Sequence, residues 1–359
     1  MPKRILFICP YPTGEAPSQR FRFEQYFQSL QSNQIAFEIQ PFLSQKDWRL
    51  FYSRGSLYRK AIVLLRGFSR RIVGLRAASA ADFVFIHREA APVGPPIFEW
   101  IIAKVFRKKI IYDFDDAIWL TDRPDESLIV RITKWRSKVQ QICGMSYRVS
   151  CGNSYLSDFA SQFTAHAVII PTTIDTEHHK LAFDEQSAPD KKITIGWTGS
   201  HSTLKYLMNL NTVLKEIERM FAQVRFLVIA DQCPVLDLKR LEFREWKRST
   251  EVEDLSEIDI GIMPLPDDEW SKGKCGFKLL QYMALNIPAI AAPVGVNTKI
   301  IKQGENGFLC SSVEEWTSSI EHLIHHHELR LTMGQAGRSS VEKNYSVSSN
   351  SENFVSLFI

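Results

Sequence analysis

Residues 272–297, KGKCGFKLLQYMALNIPAIAAPVGVN, bring together the side chains that could hold a phosphate. Lys274 and Lys278 bracket Gly276, after which Phe277, Leu280 and Ala284 recur at helical spacing until Asn286 and Pro288 end the pattern. This predicts a helix over 276–285 and a strand over 289–292. A helix N-terminus collects unpaired N–H groups and partial positive charge, so two lysines beside it make an anion site. Gln281 follows Lys278 by three positions, on the same helix face, and Gly273 precedes the pair. A second such place begins at Ile193, ITIGWTGSHSTLKYL: a strand, a turn at Gly199, then a helix near Ser202. There Thr198, Gly199 and Ser200 are expected to offer backbone N–H groups and hydroxyls to a phosphate, with Lys205 in the first turns of the helix. Trp246, ahead of the acidic stretch 251–257, is either one wall of a base pocket or ordinary packing.

Two polar clusters stand at the ends of apolar runs in the first half. His87, Arg88 and Glu89 follow DFVFIH, and Asp113, Asp115 and Asp116 lie in DFDDAIW after KIIYD. The carboxyl ends of strands in an open parallel sheet line the ligand crevice, so both clusters are expected to face one cleft. Their ordinary reading is helix capping for the aspartates and a hydrogen-bonded structural role for the histidine. The N-terminus reads as a strand, RILFIC, a loop holding Gly14, and a helix over 18–30 with Arg20 and Arg22 near its start. Both arginines are candidates to meet an anion, against the alternative that both are solvated. Gly14 stands where a dinucleotide fold needs GxGxxG, which argues against a nicotinamide enzyme.

The elements that must position these residues divide into two βα-rich halves. A chain of 359 residues exceeds one ordinary core. The pattern lapses in a polar stretch up to Asp190 and restarts at Ile193, giving expected domains of 1–176 and 177–346, with 347–359 as a last helix. Charge divides unevenly: residues 1–175 hold 24 Lys and Arg against 15 Asp and Glu, and the remainder 20 against 25. The basic first half suggests an anionic partner, either lipid or a phosphate-bearing substrate; nucleic acid is not expected, because no binding-module motif accompanies the charge. Residues 58–78, from Tyr58 to Ala78, hold six basic and no acidic residues on an apolar helical pattern, predicted to break near Gly67. Such a helix suits either the surface of an anionic membrane or an ordinary sheet-packed layer. No apolar run is long enough to span a bilayer, and the N-terminus carries no cleavage pattern, so a cytoplasmic protein at the inner face of the membrane is expected. Six scattered cysteines without a CxxC pair argue against zinc and against a disulfide framework. The histidines at 325–327 read as solvated helix surface.

With PTGEAPSQRFR, IYDFDDAIW, VIIPTTID, IGWTGS, and DIGIMPL through GFLC in view, the chain resembles the GT-B-fold glycosyltransferases of the large retaining group often called family 4. The resemblance implies an α/β protein of two Rossmann-like domains facing across a cleft. It implies a nucleoside diphosphate sugar held by the C-terminal domain, a saccharide or lipid-linked acceptor held by the first, and a final helix returning to the first domain. It also implies transfer with retention, by same-face attack in which the leaving phosphate takes the acceptor proton, and no required cofactor or metal. On this reading Lys205 and Lys278 stabilise the leaving diphosphate, His87 or Asp116 orients the acceptor, and Gly14, Arg20, Arg22, Arg88 and Asp115 line the acceptor side. Thr198, Gly199, Ser200, Trp246, Gly273, Lys274 and Gln281 fall to the donor. The sequence departs from the family twice: Gly273 and Gln281 occupy the positions of its Glu-x7-Glu pair, and Ser200 replaces the arginine of its Arg-x4-Lys pair, of which Lys205 remains. Two other readings stay open, a nucleotide-sugar binder without catalysis and a metal-dependent GT-A-like transferase using Asp113 and Asp115.

Overall fold

A computed structural model describes residues 3–53, 57–122, 126–180 and 192–359. The polar stretch up to Asp190 lies mostly outside the described residues. The chain forms two compact units, one comprising residues 1–172, 273–275 and 350–359, the other 173–272 and 276–349.

The first unit is built on a parallel sheet of β1 (Arg4–Cys9), β2 (Ala36–Pro41), β3 (Phe83–His87), β4 (Lys109–Phe114), β5 (Arg148–Cys151) and β6 (Ala167–Ile169). Their order is β2-β1-β3-β4-β5-β6, all neighbours parallel. β1, β3 and β4 are almost wholly apolar and buried, as strands covered on both faces must be. One face is closed by aromatic rings: Phe7 stacks on Phe23 at 5.2 Å, and Tyr26 on Phe354 at 4.3 Å. Phe358 also lies against Phe7, Phe83 and Phe85. The last residues of the chain thus complete this core.

The helix predicted over 18–30 is instead three pieces, Pro17–Arg20, a 3-10 turn Glu24–Tyr26, and Phe27–Ser32. Side chains hold the loop before it: Gln19 accepts from the Tyr11 N–H and donates to Glu24, and Glu24 accepts from the Gly14 N–H at 2.8 Å. The break expected at Gly67 does not occur, and Leu57–Ala80 is one helix. Gly67 sits where a Cβ would come within 2.2 Å of the Phe42 ring, so its role is close packing. Arg66 and Arg70 of this helix pair with the buried Asp47, and Arg71 is buried, donating to the carbonyls of Cys9, Gln40 and Ala90.

The second unit has its own parallel sheet: β7 (Ile193–Thr198), β8 (Val224–Ala230), β9 (Leu241–Glu245), β10 (Ile260–Met263), β11 (Ala289–Ala291) and β12 (Gly307–Leu309), in the order β12-β11-β10-β7-β8-β9. A core from Ile193 to Met333 fills it, with Trp197, Ile260, Ile290 and Trp316 among its members. The chain reverses its direction of strand addition between β1 and β3 in the first sheet and between β7 and β10 in the second. Ligands in such sheets sit at that switch, outside the carboxyl ends of the strands. No described helix is long and apolar enough to cross a membrane.

Candidate functional site

In the second unit the carboxyl end of β7 and the helix Phe277–Ala284 come together through two aromatic rings. Gly276 precedes the helix at φ 68°, a left-handed conformation open to glycine, and lies so close to Ile300 that a Cβ would come within 2.3 Å of it. This places Lys278 in the first helical turn, its ammonium 5.4 Å from the centroid of Trp197, the penultimate residue of β7. Tyr282, one turn on, accepts the Thr198 N–H at 3.0 Å with its hydroxyl. Lys205 is exposed, its ammonium 5.2 Å from the Tyr206 ring.

The turn itself differs from expectation. The N–H groups of Thr198, Gly199 and Ser200 were assigned to a phosphate, yet they donate to Tyr282, the Ile229 carbonyl and Thr203. The next amide, of His201, donates to Asp231 at 2.5 Å. A backbone group already bonded inside the unit gains nothing by turning to a ligand, so positive charge at this place comes from side chains and from the N-terminus of the helix Phe277–Ala284.

Beside this helix the structure brings a carboxylate that sequence spacing missed. Glu251, buried, accepts from Gln281 Nε2 at 3.3 Å and from Trp246 Nε1 at 3.2 Å. Trp246 is thus anchored to the same acid as Gln281 and stands near the site. The signal was present, since Glu251 opens the acidic stretch after Trp246; only the fold across 30 residues joins it to Gln281.

In the first unit, Arg22 is not poised for an anion from solution. Fully enclosed, it forms an ion pair with Asp113 at 2.5 Å and donates to the Ile170 carbonyl. Asp113 also accepts from His87 Nδ1 at 2.8 Å and from Ser150 at 2.7 Å. Burial alone would raise the Asp113 pKa; the Arg22 and His87 contacts overcome it and hold the carboxyl well below the usual range. Both carboxylate oxygens are therefore committed, which removes Asp113 from the Asp113/Asp115 metal pair. His87 is buried with Asp113 rather than facing an open cleft, and its Nε2 has no hydrogen bond among the described residues.

Arg88, Asp115, Asp116 and Lys274 form a second network at the carboxyl ends of β3 and β4. Arg88, at φ 60°, reaches Asp115 and Asp116, each at 2.7 Å, and Lys274 meets Asp116 at 2.8 Å. Burial would raise the Asp116 pKa, but Lys274 and then Arg88 lower it overall. Lys274 and Gly273, expected on the donor side, belong here with the first unit: Asn153 donates to both their carbonyls. Cys275 follows, donating to the Asp115 carbonyl, its thiol pushed up to about 12 by burial. Gly14 lies in the loop after β1, and Arg20 ends the helix Pro17–Arg20, over the Phe21 ring at 4.8 Å. Among the described residues no group of three or more His, Cys, Asp or Glu could hold a metal ion.

Comparison with known proteins follows the same division. Residues 192–326 match the family model of glycosyl transferases group 1. No curated protein sequence matches. HepE of Anabaena in complex with UDP and glucose superposes with a TM-score of 0.67 at 15% identity, over 99% of this chain and 98% of that one. HepE in complex with UDP-glucose gives 0.70 at 12%, over 98% of both. Sucrose-phosphate synthase from Thermosynechococcus elongatus gives 0.73 at 12%, over 99% and 98%. Both proteins share the fold of this chain, which holds two six-stranded parallel sheets flanked by helices. The chain has the GT-B fold of these structures, and residues 192–326 of its second unit are similar to the glycosyl transferases group 1.

Proposed function

We propose that the chain transfers a sugar from a nucleoside diphosphate sugar to a saccharide or lipid-linked acceptor, with retention, on the cytoplasmic side in the synthesis of envelope or exported glycans. The observation that carries this reading is Lys278, held over Trp197 in the first turn of the helix Phe277–Ala284. Breaking the anomeric C–O bond leaves negative charge on the diphosphate, and a cation plus the positive end of a helix stabilise that charge as it develops. Lys205 adds a second cation. The acceptor oxygen forms the new bond to the anomeric carbon, and its proton passes to the leaving diphosphate. UDP and UDP-glucose in the HepE structures support a uridine donor. The Gln281 amide, its nitrogen directed at Glu251, presents its oxygen as an acceptor for a ribose hydroxyl. Arg88, Asp115, Asp116 and Lys274 take the acceptor.

Since these lysines carry the charge, turnover is expected to be insensitive to a chelator. Lys278→Ala is expected to lower kcat by well over tenfold with the fold intact, the loss of a transition-state contact. Unchanged kcat removes Lys278 from the mechanism. Saturable donor binding without sugar release in the parent protein identifies a binder in place of an enzyme.

A further inference from the structure

The helix Leu128–Lys134 buries none of its residues. Leu128, Ile129 and Ile132 are 71%, 75% and 66% exposed, and Trp135, which ends the helix at φ 46°, is 42% exposed. The Gly94 N–H donates to the Thr133 carbonyl at 2.7 Å, tying this helix to the segment that enters the helix Ile97–Trp100. There Ile97, Trp100 and Val105 are exposed as well, beside a groove of about 500 Å³ lined by Pro95, Ile97, Trp100, Lys104, Gln141 and Met145. Single exposed apolar residues need no explanation; a group of this size on adjoining segments marks an interaction surface.

Charge selects the partner. Lys104, Arg107, Arg131 and Lys134 are exposed among these side chains. Across residues 97–108 and 127–145 the single carboxylate is Glu99, which is buried and accepts the Ala90 N–H. Of the flanking carboxylates among the described residues, Glu126 pairs with Arg136 and Glu89 with Lys138. Apolar side chains including Trp, among cations that form no ion pair with the described residues, match the two layers of an anionic bilayer: acyl boundary for Leu, Ile and Trp, headgroup phosphates for Lys and Arg.

We propose that the first unit docks on anionic lipid through the helix Leu128–Lys134 and the neighbouring Ile97–Trp100 segment. This surface is separate from residues 58–78, where Arg66, Arg70 and Arg71 bond within the unit. The partner is a lipid surface, independent of which donor or acceptor the enzyme uses.

Flotation of the full chain with vesicles tests it, using phosphatidylcholine alone and phosphatidylcholine mixed with phosphatidylglycerol. The parent is expected to float with the mixed vesicles and to be released by salt. Ile129→Glu/Ile132→Glu is expected to weaken binding by about tenfold or more, and Arg131→Gln/Lys134→Gln by a similar factor. Because all four side chains are exposed, circular dichroism and the unfolding transition should stay at parental values; if the glutamate pair unfolds the protein, the glutamine pair decides. Binding of both variants at parental strength overturns the proposal, as does a parent that ignores anionic vesicles. So does a parent that only self-associates, with Ile129→Glu/Ile132→Glu making it monomeric, since the surface then joins two copies of the chain. Sugar transfer is not read, so failure here leaves the proposed function standing.

Discussion

Glu251 and Gln281 put a buried carboxylate beside an amide that sequence spacing left without a partner. Glu251 reaches the Gln281 amide from another helix. Glu251→Ala leaves the Gln281 and Trp246 donors without their acceptor in a buried place, so it is expected to destabilise the second unit by about 1–3 kcal/mol. It should also raise the donor KM several-fold, while Glu251→Gln, which keeps an acceptor, should recover most of both; urea unfolding and initial rates across donor concentrations read the two effects. That residues 205, 278 and 281 lie on helices was legible from sequence, because helix periodicity and one glycine place them. The partners were not. Arg22 meets Asp113 across 91 positions, a pairing set by strand order, and nothing local in either stretch announces it. For the same reason the amides of the Gly199 turn looked available until Tyr282, Ile229 and Thr203 were found holding them.

Among the elements, the central strands were readable and the edges were not. β1, β3, β4, β7 and β8 are buried on both faces and show as continuous apolar runs. β2 and β9 were missed: each pairs on one side only, and AFEIQP and LEFRE carry the charge and partial exposure of edge strands. Helix continuity at Gly67 was misread for a related reason, since a glycine that permits a break also permits close approach. Gly67→Ala is expected to cost about 1–3 kcal/mol, because the Phe42 ring is itself buried and cannot move aside freely. Equilibrium denaturation reads this, with no change expected in donor KM.

At the scale of the whole molecule, Asp113 is one of the buried and part-buried carboxylates, with Asp47 and Asp116, through which acid destabilises the fold. The Asp113 pKa is depressed in the folded state, so its contribution to stability is complete above the ordinary carboxylate range and is lost as pH falls below it. Asp113→Asn should remove much of that dependence, flattening the stability curve at acid pH. At neutral pH it should cost about 3–5 kcal/mol, because Arg22 is left buried without its counter-charge. Thermal unfolding across pH checks both. The core of the first unit has a consequence for synthesis too. Phe354 and Phe358 pack among Phe7, Tyr26 and Phe85, yet the ribosome adds them only after the entire second unit. Domains ordinarily fold in the order they are made. Here the sheet of the first unit waits, its aromatic face unfilled, for residues translated after the second unit, and the nascent chain must keep that face from aggregating until they arrive.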